Sequence, residues 1–157
     1  MASRSSSGLF KSIGPALLLA VVVIAFLLKN GGTSDSGAPT AGPGEYLFCF
    51  WNVENLFDDR DDKRGSVDEE YDNWMAKKPE DLQLKLDRLT SVLLSMNAGR
   101  GPDILAVCEV ESIRAAELLR DALNKKLPQG AAPYGDVQMK EVAAGRHIAP
   151  AVITRLP

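Results

Sequence analysis

Apolar positions along the chain change period several times, and each change marks an element. From Ile13 to Leu28 the run is continuous apart from Gly14 and Pro15. At the α-helical rise it spans roughly 24 Å, short of a bilayer's hydrocarbon core, and reaches about 30 Å only when counted from Leu9 through Lys11 and Ser12. It predicts an N-terminal helix over 1–28, either an uncleaved signal anchor or a secretory signal peptide. Small residues at a cleavage spacing do not follow directly, since Phe26-Leu27-Leu28-Lys29-Asn30 comes next, and this favours the anchor. Residues 29–44, rich in Gly, Ser, Thr, Pro and Ala and without period, read as a flexible linker.

Residues 45–157 carry the patterned segments of one α/β domain. Tyr46 to Val53 reads as a buried strand. Asp58 to Lys78 is a charged, solvated loop whose acidic run lacks the glycine and terminal glutamate spacing of an EF-hand. Pro79 to Met96 predicts a helix, with Pro79 suited to its first turn and Glu80 and Asp81 complementing its N-terminal dipole. Leu82, Leu86, Leu89, Leu93 and Met96 lie on one face of it, and Asn97 to Pro102 stops it. Asp103 leads into a second apolar run, Ile104 to Glu111. Ser112 caps a second helix to about Leu127, with Ile113, Ala116, Leu119 and Leu123 on one side. Weaker strands follow near Tyr134–Val142 and Ile148–Thr154. The order β, α, β, α, β, β predicts a sheet covered by helices. The chain stops at Arg155-Leu156-Pro157, which predicts the last strand at a raw sheet edge and a terminus in mid-domain.

Charge narrows the choice of partners. All 21 acidic residues, and all but Arg4 and Lys11 of the 18 basic ones, lie beyond residue 28, so the domain is net acidic. That leaves no electrostatic footprint for wrapping nucleic acid, while a small phosphoester or a metal site stays open. Arg4 and Lys11 ahead of the apolar run favour an N-in orientation, weakened by Lys29. The domain is then expected on the extracytoplasmic side, membrane-anchored or secreted. Cys49 and Cys108 are the two thiols. Strand alternation points both away from the candidate site, as buried free thiols, with a cross-strand bridge as the alternative.

Both apolar runs end in oxygen-bearing side chains. Phe48-Cys49-Phe50-Trp51-Asn52-Val53-Glu54 delivers a carboxamide and a carboxylate, and Ile104 to Val110 delivers Glu109. Alternation places Phe50, Asn52 and Glu54 on one face. Paired strand tips of this kind suit a hard divalent ion, Mg²⁺ or Mn²⁺, held by carboxylate and water oxygens. The bland alternative makes Asn52 a turn starter and Glu109 the cap of the second helix.

The segments FWNVENLFD and PDILAVCEVE, some fifty residues apart with a helix between, resemble the endonuclease/exonuclease/phosphatase superfamily. Its members include DNase I-like nucleases, abasic-site endonucleases, sphingomyelinases and inositol phosphatases. The form Asn-Val-Glu-Asn-Leu-Phe looks most like a secreted or membrane-attached bacterial branch. The resemblance runs from Tyr46 to Pro157 and implies part of a four-layer α/β sandwich, two packed sheets flanked by helices. It implies metal-dependent phosphoester hydrolysis, with Mg²⁺ or Mn²⁺ as cofactor and a phosphoester as partner, nucleic acid included. On it, Glu109 matches the main metal-binding glutamate and Asn52 the asparagine that places phosphate or attacking water. Glu54 matches an acidic residue close to the metal. Asn55 and Glu111 are read as turn and capping residues.

The chain also departs from that pattern. The superfamily's histidine base, its central Asp-x-Asn pair and its late Ser-Asp-His motif are not found here. His147 does not match the base and reads as a strand or surface residue. Arg146 reads as solvated, with a phosphate contact as the alternative. The chain therefore reads as the N-terminal half of such a domain, incomplete and inactive alone. A non-catalytic, membrane-anchored binding or scaffold module with the same fold is the competing reading.

Overall fold

A computed structural model describes residues 24–26, 37–61, 74–142 and 146–157. Strands β1 (Ile24–Phe26), β2 (Phe48–Leu56), β3 (Ile104–Val110), β4 (Val137–Met139) and β5 (Ala149–Thr154) form one sheet in the order β1-β2-β3-β5-β4. Helices α1 (Trp74–Lys77), α2 (Pro79–Leu93) and α3 (Ile113–Lys126) complete the chain of elements, with a 3-10 turn at Asn97–Gly99. The class is mixed α/β, as the pattern of periods predicts. One sheet and one helical layer are described, a part of the four-layer arrangement that the resemblance implies.

Parallel strands cannot be joined by a tight turn, and α2 supplies the long crossover between β2 and β3. Pro79 opens α2 without losing an intrahelical bond, and Glu80 and Asp81 face its positive end. Leu82, Leu86, Leu89 and Leu93 bury the stripe expected of them, and Thr90 is buried among them. The helix closes at Leu93, and Met96 stays in the core beyond its end. Asn97 and Ala98 are both left-handed there. Gly101 is left-handed too, and a Cβ on it would stand 2.6 Å from the Tyr134 hydroxyl oxygen. Only glycine meets both conditions. Ser112 caps α3 by accepting from the Ala115 amide at 3.0 Å, and Lys125 and Lys126 sit at its negative end. Ala115, Ala116, Leu119 and Leu123 are buried, whereas Ile113, expected among them, stands 37% exposed in the first turn.

Burial alternates along β2. Cys49, Trp51 and Val53 face the helices, and Phe48, Phe50 and Asn52 face outward. The helices thus cover one face of the sheet. β5 does not lie at an edge. It is hydrogen-bonded antiparallel to β3 on one side and to β4 on the other, so its Ala-Pro-Ala-Val-Ile-Thr backbone is sheltered. Asn97 ties the N-terminal side of the domain down, its amide donating to the Pro39 carbonyl at 2.7 Å.

At the N-terminus, Ile24–Phe26 form a strand antiparallel to β2 rather than the end of a helix. Apolar β-branched and aromatic residues suit that edge. The rest of the expected helix over 1–28 lies outside the described residues, as does 62–73 of the charged loop. No helix among the described residues is long and apolar enough to cross a membrane.

The two thiols part company. Cys49 is fully buried on the helix face, whereas Cys108 pairs with Asn52 in the β2–β3 register and lies half-buried on the outward face. Both are free, and opposite faces preclude a bridge between them. The expectation that both point away from Asn52 fails for Cys108, because the left-handed Glu109 breaks the alternation of the strand there. Burial pushes the Cys49 thiol up to about 11, and burial together with the Glu109 charge raises Cys108.

Two outcomes follow from this packing. Leu119→Ala, at a fully buried site on α3, is expected to cost about 2–5 kcal/mol in urea unfolding, and Leu84→Ala, half exposed on α2, less than about 0.5 kcal/mol. Iodoacetamide mapping of the native protein is expected to label Cys108 and spare Cys49 until denaturant is added. Equal labelling of both thiols would contradict the assigned faces.

Candidate functional site

The parallel register sets Phe48 beside Ile104 and Asn52 beside Cys108, so β2 and β3 end side by side. Regular pleating would turn Glu109 to the helix face, opposite Cys108. It does not, because Glu109 adopts φ +62° and the β3–β5 register shifts between Val107 and Val110. On β2 a matching irregularity lies between Asn52 and Leu56, where Glu54 (φ +52°) and Asn55 (φ +60°) are both left-handed. Side chains with a Cβ seldom take that conformation, and such residues gather at sites where geometry is held for use. Both strand ends therefore carry a bulge that re-aims an acidic residue.

The result is a direct contact. Asn52 Nδ2 donates to Glu109 Oε1 at 2.8 Å, and Asn52 Oδ1 accepts from the Glu54 amide at 2.8 Å. Asn52 thus starts a turn and joins the two strand tips with one side chain. Glu109 does not cap α3, since Ser112 does so. Glu54 does not continue the alternation that Phe50 and Asn52 set up. Its half-buried carboxylate and that of Glu109 both act on the charge of Lys85.

Lys85 went unnoticed in the sequence. It projects from α2, and its Nζ donates to the Glu54 carbonyl at 3.0 Å. Burial draws its ammonium below the ordinary lysine range, with the Glu54 and Glu109 carboxylates opposing that and Arg88 adding to it. The available signal was its place three residues after Leu82 and four before Leu89, on the rim of the buried stripe. Arg146 is half-buried and donates to Asn55 Oδ1 at 3.0 Å, so it bridges β2 to the segment before β5.

A second constellation lies next to the first. Asp58 and Glu111 are both buried, and Glu111 accepts from the Asp58 amide at 2.6 Å rather than capping α3. Asp58 in turn accepts from the Ser112 hydroxyl at 2.6 Å. With Arg60, Arg114, Glu117, Glu141 and His147 they line a cavity of about 490 Å³. Glu141 closes part of it by accepting from the Ile113 amide at 2.9 Å. Arg114 pairs with Asp59 through two nitrogens, and this holds the Asp59 carboxyl below its usual range. His147 belongs to this cavity and is left-handed at φ +55°.

A metal test of the Asn52–Glu109 tip rests on its donors. Among the described residues, no three His, Cys, Asp or Glu side chains gather into a cage. Glu109 and Glu54 offer one or two carboxylates near the protein surface, and Mg²⁺ is commonly held that way, with water and substrate oxygens completing its shell. The donor chemistry fits a hard ion of this kind.

The profile of the Endonuclease/Exonuclease/phosphatase family matches residues 47–137, more than half of the chain and all of β2, α2, β3 and α3. No curated protein and no solved structure matches. With both motif strands, the crossover helix and the capped second helix inside the matched span, the chain belongs to the Endonuclease/Exonuclease/phosphatase family.

Proposed function

We propose that this chain carries the metal-binding and phosphate-orienting side of a phosphoester hydrolase site, built from Glu109, Glu54 and Asn52. Family membership supports hydrolysis of phosphoesters in general. The observation that carries the finer reading is the 2.8 Å contact from Asn52 Nδ2 to Glu109 Oε1 across two strand ends held in left-handed geometry. A bound Mg²⁺ or Mn²⁺ supplies Lewis-acid stabilisation of charge on phosphoryl oxygens.

The chain's own residues do the rest. Glu109 presents a carboxylate as the ion's anchor, and Glu54 adds negative charge beside it. Asn52 holds Glu109 in place by one amide hydrogen and can offer its other to a phosphoryl oxygen or a water. Its carbonyl oxygen is engaged by the Glu54 amide, which fixes the direction of the carboxamide. Committed to the ion, Glu109 and Glu54 are not placed as the general base that water attack on phosphorus uses, and the carboxamide is no base. His147 stands in the adjoining cavity with Asp58 and Glu111, and no contact joins it to Asn52 or Glu109 among the described residues. The constellation is thus a binding half-site, expected to hold the ion weakly and to turn over nothing alone. Substrate is a phosphoester, nucleic acid included.

Mn²⁺ titration of the full chain by electron paramagnetic resonance tests this. Wild type is expected to bind, with Glu109→Gln weakening binding at least about tenfold and Asn52→Ala by less, since Asn52 orients the carboxylate and is not itself the ion's ligand. No release from bis(p-nitrophenyl) phosphate with Mg²⁺ present is expected. Wild-type Mn²⁺ affinity in Glu109→Gln would end the assignment. Absence of Mn²⁺ binding altogether would favour the non-catalytic binding module.

A further inference from the structure

Behind the strand tips the carboxylates of Glu54 and Glu109 act on the ammonium of Lys85, and the Arg88 guanidinium adds a second positive charge. Lys85 is anchored rather than free to swing, because its Nζ donates to the Glu54 carbonyl at 3.0 Å and the residue is half-buried beside the α2 stripe. A lysine has three donors and no acceptor, so that contact leaves two hydrogens for neighbouring oxygens. Lys85 and Arg88 together balance the two carboxylates, so a divalent ion entering there would bring uncompensated positive charge that a singly charged phosphodiester offsets in part. Without the lysine one negative charge is left in excess, which favours the ion and weakens the pull on the diester.

We propose that Lys85 is a positioning residue and the resident cation of the site, holding divalent-ion affinity low until a phosphodiester monoanion binds with the ion. The inference rests on the assignment of Glu109 and Glu54 as metal ligands and adds to it the coupling between ion and substrate. Coulomb repulsion between a fixed unit charge and a divalent ion a few ångströms away in a half-solvated site is large enough for about a tenfold effect on affinity. The ammonium also holds the carbonyl of a left-handed residue, so geometry and charge must be separated in the test.

The experiment is Mn²⁺ titration of the full chain with and without dimethyl phosphate, in wild type, Lys85→Gln, Lys85→Met and Lys85→Arg. Lys85→Gln keeps an amide donor for the Glu54 carbonyl while losing the charge. It is expected to bind Mn²⁺ about tenfold more tightly than wild type in the absence of dimethyl phosphate. Dimethyl phosphate is expected to tighten Mn²⁺ binding in wild type and Lys85→Arg, and to do so far less in Lys85→Gln and Lys85→Met. Unchanged or weaker Mn²⁺ binding in a folded Lys85→Gln overturns the proposal. Loss of far-ultraviolet circular dichroism in both neutral variants also overturns it, since Lys85 would then be a structural residue. Glu109→Gln separates the two levels. If it abolishes Mn²⁺ binding while the Lys85 variants behave as wild type, the metal assignment stands and the resident-cation role falls. If it binds as wild type does, the metal assignment itself falls.

Discussion

Parallel pairing of β2 with β3, with Asn52 opposite Cys108, fixes where both strands end and which side chains share a face. A slip of one residue would turn Asn52 toward the helices and bring Val53 out, because side chains alternate along a strand. That slip is opposed by the core. Cys49, Trp51 and Val53 on β2 are buried together with Leu105, Val107 and Val110 on β3, and the three β2 side chains would be exposed by it. The hydrophobic register therefore holds the polar tips in position. What the register cannot do is bring Glu109 to the outward side, and the left-handed turn at that residue does it instead.

The two polar constellations divide the work of the sheet's upper end. Buried Asp58 and Glu111 are served by backbone and hydroxyl donors, and they join the end of β2 to the start of α3. Buried carboxylates are costly without such partners. Asn52, Glu54 and Glu109 are more open: Glu109 accepts from Asn52, Asn52 from the Glu54 amide, and the Glu54 carbonyl from Lys85. The first group fixes the frame, and the second ties the two strand tips to each other and to α2.

Much of this was legible in the sequence where the period was strong. The stripe Leu82, Leu86, Leu89, Leu93 located α2, and Ser112 located the start of α3, since the helix repeat and its cap are local signals. Asn52 and Glu109 stood out because each follows an apolar run, and the geometry brings them into contact. The face of Cys108 differs from that expected because alternation assumes a regular strand, and left-handed turns at non-glycine residues such as Glu54 and Glu109 leave no mark in composition. The position of β5 was misjudged for another reason. Strand order depends on long-range pairing, and a strand near the end of the chain inserts between two earlier ones without any sequence cue. Lys85 was hidden by its residue type, which reads as solvated surface on any helix.

Away from the tips, the sheet's lower end is a crowded joint. The Tyr134 hydroxyl donates to the Pro102 carbonyl at 2.7 Å, Arg155 lies over the Tyr134 ring, and Asp103 accepts from the Leu47 amide at 2.8 Å. Gly101 fits beneath that hydroxyl with no space for a methyl group. A single added carbon there would push on the Tyr134 hydroxyl, through it on the Pro102 carbonyl, and so on the residues that lead into β3. Across the seven residues of that strand, about 23 Å, the displacement would arrive at Glu109 as a tilt of the whole rod. The Asn52–Glu109 contact at one pole is thus mechanically answerable to an atom's width at the other.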